Sequence, residues 1–220
     1  GVINVKNIVF SSTCATFGEP SEVPIHELVE QKPVNPYGRT KLFVEEILKD
    51  CTIAHGIRHA TLRYFNAAGA LPDGSIGENH SPETHLIPKA IAVALGQDKI
   101  LTVNGNDYPT PDKTCIRDYV HVLDLAEAHV LSMEKVRSTG VNCDYNLGSE
   151  NGYSVLQIID AIKSITGKDL NYKFGPRRPG DPPRLVANSK KAKTELGWQT
   201  KFDLNQIVQT AYTWMKGKTI

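Results

Sequence analysis

The sequence predicts an α/β fold built around a parallel sheet, and three observations support this prediction. Segments with strand-like and helix-like patterns alternate along most of the 220 residues, which is typical of βαβ crossover units. Apolar runs at 4–10 and 59–65 each give way to polar residues, as buried strands do where a loop begins. A segment starting at Asn35 and Pro36 has the start signals of a long helix, because Asn caps helices and Pro suits their first turn.

The predicted elements follow from these patterns in chain order. They are strand 4–10, helix 36–55, strand 59–65, helix 85–96, strand 100–103, helix 122–137, strand 143–147, helix 154–166, strand 171–174 and two late helices near 189–195 and 203–216. The apolar stripe of the first helix is expected to bury Ile47 and Leu48 and to leave Glu45 facing solvent.

Charge and hydropathy exclude two classes of partner. Lys plus Arg is 25 against Asp plus Glu 24, so no global field would draw nucleic acid or an anionic membrane surface. The sequence has no apolar stretch of about 20 residues and no signal-peptide pattern, so neither a membrane span nor an export signal is predicted. The composition indicates a soluble metabolic enzyme that binds neither nucleic acid nor membrane.

The spacing of cysteines and histidines argues against a disulfide framework and a metal centre. Cys14, Cys51, Cys115 and Cys143 lie far apart without CxxC spacing, so they are predicted to be reduced thiols of a cytoplasmic protein. The seven histidines form no HExxH motif and no His/Cys cluster. No metal is therefore expected.

Tyr37 and Lys41 form the clearest chemical pattern in the chain. Their i, i+4 spacing on the predicted helix places the phenol and the ammonium on one face. A phenol titrates at about pH 10, and a nearby cation should lower its pKa and so make it a usable base. Taken alone, this short pattern is more often an ordinary exposed helix start.

Hydroxyl residues follow the first predicted strand, at the edge where open α/β sheets bind ligands. Ser11, Ser12 and Thr13 come directly after the apolar run, and Thr13 would lie beside Tyr37 if the helix returns across the sheet. The alternative is a Ser/Thr-rich turn without any chemical role.

Seven segments, in one order along the chain, resemble a single family. They are SSTCATFGEP, NPYGRTK, LRYFNAAGA, THLIP, GNDYPTPDKTCIRDYVHVLDLAEAH, YNLGS and RRPGD. The set resembles the extended short-chain dehydrogenases/reductases (the NAD-dependent epimerase/dehydratase family) and, among them, the UDP-hexose 4-epimerases. The resemblance implies the C-terminal part of a Rossmann-like parallel sheet plus a smaller mixed α/β domain that binds a nucleotide sugar.

The resemblance also implies a division of the chain and a longer polypeptide. Residues 1–68 would be the C-terminal part of the NAD-binding domain, with 118–148 returning to it, while 69–117 and 149–220 would form the UDP-sugar-binding domain. The family binds NAD through a Gly-rich turn after its first strand. No GxGxxG or GxxGxxG occurs here, and the chain starts without Met directly before a predicted strand. We therefore expect the remainder of the NAD-binding domain upstream.

The activity that the resemblance implies is NAD-dependent epimerisation at C4 of a UDP-hexose, UDP-glucose or UDP-galactose, through a 4-keto intermediate. Tyr37 would act as the acid/base, Lys41 would lower its pKa and contact the nicotinamide ribose, and Thr13 would hydrogen-bond the C4 hydroxyl. The implied cofactor-binding residues are Ser11, Ser12, Tyr37, Lys41 and Tyr64. A homodimer is implied for the full-length protein.

The substrate-binding residues that the resemblance implies are Thr13, Asn66, His85, Leu86, Asn104, Arg117, Arg178, Asp181 and Leu185. Arg117 and Arg178 would bind the two phosphates, for which the donor fork of Arg is suited, although either one alone could be an ordinary solvated side chain. Asp181 would receive the ribose hydroxyls, Asn66 would contact a phosphate or the sugar, and Leu86 would lie near the uracil.

Three of these positions bear on specificity. His85 stands where many family members have Asn, and Asn104 stands where others have an aromatic ring against the uracil. The resemblance places Leu185 where the family adjusts the room beside the C2 substituent of the sugar, with small residues accompanying N-acetyl sugars and Tyr accompanying their exclusion. The bulk of Leu favours UDP-glucose and UDP-galactose as substrates.

Cys14, the residue after Thr13, bears on the type of reaction. Dehydratase relatives carry an acidic residue there, so the thiol favours epimerisation without dehydration. Two alternatives stay open. One is another nucleotide-sugar modifier, such as a UDP-N-acetylhexosamine or UDP-pentose 4-epimerase or a decarboxylase. The other is a non-catalytic nucleotide-sugar-binding fragment, which a GxxGxxG motif upstream of Gly1 would exclude.

The 220 residues alone are expected to bind NAD negligibly, to show no epimerase activity and to associate. They would keep the nicotinamide end of the cofactor site but lack the helix N-terminus that donates N–H groups to the phosphates, and an uncovered sheet edge would expose backbone and apolar groups. Calorimetric titration with NAD and with UDP, together with an activity assay, tests this expectation. Tight stoichiometric NAD binding by this chain would show that the cofactor site is misplaced.

Overall fold

The computed structural model of the chain describes residues 5–218 and confirms the predicted α/β class. Its elements are β1 (Asn7–Thr13), a 3-10 helix (Cys14–Phe17), α1 (Pro36–His55), β2 (Arg58–Tyr64), β3 (Asn66–Ala68), α2 (Leu86–Ala94), β4 (Leu101–Asn104), β5 (Ile116–His121), α3 (Val122–Thr139), β6 (Cys143–Leu147), β7 (Gly152–Ser154), α4 (Val155–Thr166), β8 (Tyr172–Gly175), β9 (Arg184–Leu185), α5 (Lys190–Leu196) and α6 (Leu204–Gly217). No helix within this described part is both long enough and apolar enough to cross a bilayer.

Three strands form a parallel sheet in the order β1-β2-β6. Successive residues of a strand face opposite sides of its sheet. Ser11 Oγ accordingly lies 2.9 Å from Nε2 of His129 in α3, whereas the hydroxyl of the next residue, Ser12, bonds to Glu45 in α1. The sheet is therefore covered by α1 on one face and α3 on the other. One apolar cluster joins β2, β6, α3 and α5 and includes the almost fully buried Trp198.

The second group of elements is built around β5. This strand pairs in parallel with β3 and β9 and antiparallel with β7, while β4 and β8 form a separate parallel pair. Helices α2, α4 and α6 contact one another in a second apolar cluster. Although α5 lies within 149–220, it packs against β6 of the first sheet. The domain boundaries that the resemblance implies stay a prediction.

The first strand lies later in the chain than the sequence pattern indicates. Helix 36–55 coincides with α1, but β1 begins at Asn7 and continues through the hydroxyl residues to Thr13, so the bounds predicted as 4–10 are wrong. Residue 4 lies outside the described residues. The strand continues because β1 keeps its pairing with β2 along this whole stretch. The polar side chains alone would suggest a loop.

Four strands have no counterpart among the elements predicted from the sequence. β3, β7 and β9 are only two or three residues long, too short for an alternating pattern to be recognised. β5 is longer, but it carries Arg117 and Asp118, whose charges interrupt the apolar run that a buried strand normally shows. Both charged side chains are held by specific partners, described below.

The predicted exposure of Glu45 on α1 is wrong. Glu45 is 1% exposed, its Oε2 lies 2.7 Å from Nη2 of Arg63 in β2, and its Oε1 accepts a hydrogen bond from Ser12. Ile47, which the pattern predicts to be buried, is 56% exposed. A carboxylate can be buried here because the guanidinium and the hydroxyl replace the lost water. The ion pair therefore holds α1 against β1 and β2.

The first turn of α1 lies directly on the 3-10 helix that follows β1. Asn35 caps α1 as predicted, and its Oδ1 accepts a hydrogen bond from the backbone N–H of Gly38 at 2.8 Å. A Cβ atom on Gly38 would lie 2.4 Å from the carbonyl oxygen of Ala15, so only glycine permits this approach. The close contact sets Tyr37 beside Thr13.

Gly38→Ala should destabilise the chain, because either α1 or the Ala15 carbonyl must move to admit the methyl group. We expect the free energy of unfolding, measured by denaturant titration, to fall by about 1–3 kcal/mol. Gly217→Ala is the matched control, because a Cβ there would meet no atom within 4 Å. Its effect should stay within about 0.5 kcal/mol. Equal effects of the two substitutions would contradict the proposed contact.

Candidate active site

Thr13, Tyr37 and Lys41 converge at the carboxyl end of β1. Thr13 ends the strand, is buried, and caps the 3-10 helix by accepting a hydrogen bond from the N–H of Ala15 at 3.2 Å. Tyr37, in the first turn of α1, is 55% exposed, and its side chain lies next to that of Thr13. The Lys41 ammonium donates to the carbonyl oxygen of Ser11 at 2.9 Å and lies 5.7 Å from the centroid of the Tyr37 ring.

The electrostatic environment of Tyr37 differs from the sequence expectation. Partial burial raises the pKa of Tyr37 above its usual value, and the neighbouring Thr13 side chain opposes this change. The lowering predicted from the spacing of Tyr37 and Lys41 is not seen in this structure, because the ammonium is drawn to the Ser11 carbonyl instead of the phenol. The chain as it stands therefore favours a protonated phenol.

The other predicted cofactor residues lie around the same strand ends, and they involve a histidine that the sequence prediction missed. Ser11 Oγ lies 2.9 Å from Nε2 of His129, whose Nδ1 is 2.7 Å from the Leu125 carbonyl oxygen. Tyr64 ends β2 opposite Thr13, and its ring centroid is 6.2 Å from that of His129. The Ser12 hydroxyl, by contrast, is buried and turned toward α1. The sequence did contain one indication of His129, because this residue is the last one of the family-like segment GNDYPTPDKTCIRDYVHVLDLAEAH.

A cavity opens between the first turn of α2, β4, β5 and the loop that precedes β9. Polar groups at its wall are mixed with apolar side chains from α2 and α6, as is usual in ligand sites. Seven of the nine predicted substrate residues line it, namely Asn66, His85, Leu86, Asn104, Arg117, Arg178 and Asp181. The structure thus brings together residues that are widely separated in the sequence.

Arg117 and Asp181 form an ion pair at this cavity. The Arg117 guanidinium also donates to the Pro182 carbonyl oxygen at 2.8 Å, and the Tyr108 hydroxyl donates to Asp181 Oδ2 at 3.4 Å. Burial raises the pKa of Tyr108 to about 12, and the Asp181 carboxylate adds to the rise, so this hydroxyl stays a donor. Arg117 and Asp181, both predicted to contact the nucleotide, are therefore neighbours, and their hydrogen bonds fix their orientations.

The two consecutive arginines of the RRPGD segment have different environments. Arg178 is exposed and lines the cavity. Arg177 is instead paired with Asp107, with 2.6 Å between Nε and Oδ1, and its guanidinium carbon lies 4.2 Å from the centroid of the Tyr108 ring. Of the pair, Arg178 is the one placed to meet a ligand.

Leu185 lies outside the cavity wall. It stands between the predicted residues at the end of β1 and those that line the cavity. In β9 it is the strand partner of Arg117, and its side chain packs against the cluster that contains Cys14 and Phe17. Thr13 is likewise not part of the wall. Leu185 therefore lies between the apolar cluster that contains Cys14 and the cavity residue Arg117.

Asp118 anchors β5 to the backbone that follows β6 and β9. The sequence prediction did not single out this residue. Its carboxylate is fully buried and accepts hydrogen bonds from the backbone N–H groups of Ser149, Glu150 and Ala187 at 2.8, 3.1 and 3.1 Å. Burial raises the pKa of Asp118, and these hydrogen bonds oppose the rise. Because Arg117 is the preceding residue, the same contacts position its side chain at the cavity.

The chain matches known proteins along almost its whole length. The family model described as GDP-mannose 4,6 dehydratase matches residues 1–211. A UDP-glucose 4-epimerase from Halalkalibacterium halodurans is 50% identical over 214 residues, which are 97% of this chain and 64% of that protein. The chain thus spans about 64% of the length of the curated relatives that it matches.

Solved structures agree with the sequence matches. The UDP-glucose 4-epimerase from Brucella ovis in complex with NAD has a TM-score of 0.91 and 50% identity, over 94% of this chain and 64% of that one. The enzyme from Bifidobacterium longum in complex with NAD⁺ and UDP has a TM-score of 0.92 and 40% identity, over 97% and 64% of the two chains. These matches confirm the resemblance carried by the sequence motifs: the chain belongs to the family described as GDP-mannose 4,6 dehydratase, and the relatives named above are UDP-glucose 4-epimerases.

Proposed function

We propose that the protein to which this chain belongs is an NAD-dependent 4-epimerase of UDP-hexoses that interconverts UDP-glucose and UDP-galactose. The observation that carries the proposal is the convergence of Thr13, Tyr37 and Lys41 at the end of β1. Relatives at about half identity that are named UDP-glucose 4-epimerases support it. The cavity lined by Arg117 and Arg178 supports a diphosphate-bearing substrate.

The residues fit NAD at the nicotinamide end of its site. An ammonium carries three N–H donors, and the bond from Lys41 to the Ser11 carbonyl uses one of them, which leaves donors for ribose hydroxyls. The Brucella ovis and Bifidobacterium longum relatives with NAD support this assignment. When bound, NAD supplies the hydride acceptor for C4 of the sugar and a positively charged nicotinamide ring.

The side chains of the chain itself move and hold the proton. The phenolate oxygen of Tyr37 takes the proton from the C4 hydroxyl as C4 becomes a ketone, and the phenol returns it to oxygen when the alcohol is re-formed with the opposite configuration. The Thr13 hydroxyl holds the same oxygen. Burial raises the pKa of Tyr37 in the chain. Positive charge from Lys41 and from bound NAD is therefore needed to deprotonate the phenol.

Cys14 supports epimerisation over dehydration. Elimination of water needs an acid and a base beside the leaving hydroxyl. Burial raises the pKa of the Cys14 thiol to about 12, so this residue stays a neutral thiol next to Thr13. The family description names a dehydratase, but the position that would carry an acidic group has no carboxylate here.

The same proposal extends to assembly and location. We infer a cytoplasmic homodimer, for which two observations give support. All four cysteines are free thiols, as expected in a reducing compartment. Helix α1 exposes Phe43, Ile47 and Ile53 to solvent, which gives it an apolar surface that a second copy could cover.

Replacement of the proposed acid/base is the first test. In the complete protein, Tyr37→Phe should lower turnover of UDP-galactose by about 10²–10⁴-fold, since general acid–base groups contribute on this scale. UDP binding, measured by calorimetry, should persist because the phenol does not contact the nucleotide. Tyr172→Phe, in β8, is the control and should leave turnover unchanged. Near-normal epimerisation by Tyr37→Phe would refute the assignment.

Sugar choice provides a second test. Because Leu185 is proposed to crowd the C2 substituent, Leu185→Ser should raise kcat/KM for UDP-N-acetylgalactosamine relative to UDP-galactose by about 10-fold or more. Leu185→Ile keeps the side-chain volume and should preserve the original preference. The comparison needs kcat/KM for both sugars in all three proteins. An unsubstituted enzyme that prefers the acetylated sugar would contradict the proposed role of Leu185.

A further inference from the structure

Four potential metal ligands converge in the loop before α2. Glu78, His80, Glu83 and His85 each offer one nitrogen or oxygen atom, and these four atoms all lie within 4.8 Å of one another. The ring centroids of His80 and His85 are 5.0 Å apart. Glu78 and His85 also belong to the wall of the cavity described above. We refer to these four residues as the His–Glu cluster.

The spacing of the donor atoms suits a four-coordinate ion. Ligands at about 2.0–2.1 Å from zinc lie roughly 3.3 Å from one another at tetrahedral angles. Glu78 Oε1 is 2.9 Å from His80 Nδ1 and also contacts His85 Nδ1. Glu83 Oε1 is 3.4 Å from His85 Nδ1 and 3.9 Å from His80 Nδ1. These distances bracket the tetrahedral value, so small side-chain rotations would equalise them.

Charge and donor type indicate which ion fits. The carboxylates of Glu78 and Glu83 lie in one small space beside two imidazoles, and a divalent cation would balance the carboxylate charge. Imidazole nitrogen favours transition metals, whereas Mg²⁺ and Ca²⁺ prefer oxygen ligands throughout. We propose that the His–Glu cluster is a zinc-binding site at the rim of the cavity.

Hydrogen bonds from one neighbouring side chain and from the backbone hold two of the ligand residues in place before an ion binds. Trp214 Nε1 donates to the carbonyl oxygen of Glu78 at 2.8 Å, and Glu83 Oε1 accepts from the backbone N–H groups of Thr84 and His85 at 2.6 and 2.8 Å. Such outer contacts orient metal ligands and increase affinity. The cluster is therefore partly preorganised.

A bound ion would join the loop to the start of α2. His85 is the N-cap residue of α2 and makes no side-chain capping bond, and Leu86 is the first helical residue. Zinc would thus order the part of the cavity wall that contains both residues. The proposed site departs from the expectation of no metal drawn from the sequence, which rested on standard ligand spacings that residues 78–85 do not show and which stays a prediction.

Calorimetric titration of the complete protein with ZnCl₂, and in parallel with MgCl₂, tests the site directly. We expect one zinc ion per chain and no measurable binding of magnesium. His80→Ala and Glu78→Gln should each weaken zinc binding by at least about 10–100-fold, the loss seen when even outer contacts of a metal site are removed. Circular dichroism of each variant checks that it is folded.

His26→Ala is the matched control. His26 is a partly exposed histidine paired with Glu22 at 2.7 Å, outside the His–Glu cluster, so its loss should not change zinc affinity. Cobalt(II) in place of zinc should give the visible absorption of a four-coordinate ion in the unsubstituted chain, and this should be absent in His80→Ala. Absence of zinc binding, or equal losses in His26→Ala and His80→Ala, would overturn the proposal and leave a hydrogen-bonded cluster without a metal. These readouts do not depend on epimerase activity.

Discussion

The buried ion pair between Glu45 and Arg63 fixes the position of α1 on the sheet. Glu45 lies one helical turn after Lys41, and it also accepts a hydrogen bond from Ser12 of β1. An unpaired carboxylate at this depth would carry a desolvation penalty of several kcal/mol, so the helix has few other stable orientations. The pair therefore sets the rotation of α1 about its axis. That rotation determines which side of the helix presents Tyr37 to the end of β1.

β5 fixes the position of the cavity residues, as the ion pair fixes that of α1. It does so through two adjacent charged residues whose side chains point in opposite directions. Arg117 reaches Asp181 and the Pro182 carbonyl, while Asp118 turns to the backbone N–H groups that follow β6 and β9. Neighbouring residues of a strand face opposite sides, so one strand can present a cation to the ligand and use its anion to bind the scaffold. The strand order and the ligand site are thus set by the same two side chains.

Local signals predicted the parts of the fold that local interactions determine. The start of α1 follows from the cap at Asn35, which the sequence shows, and the helix ends where Gly56 adopts a left-handed conformation. The burial of Glu45 depends on Arg63, eighteen positions away in the chain, and no helical period can show such a partner. The predicted substrate residues lie on separate loops that meet only after folding. No local pattern could group them, so they were predicted from the family-like segments. The His–Glu cluster lies within one loop, but its ligand spacing matches no standard motif, and only the bend at residues 81–82 brings the four side chains together.

The pKa of Tyr37 depends on whether the cofactor occupies the neighbouring site. Burial raises this pKa, and the Lys41 ammonium, which would lower it, is bound to the Ser11 carbonyl. Under the proposed function, a phenolate forms only when further positive charge reaches Tyr37. The positive charge of an oxidised nicotinamide ring would act in that direction. The base would then be generated only in a site that already holds an acceptor for the hydride, which ties removal of the C4 hydroxyl proton to the oxidation that must accompany it.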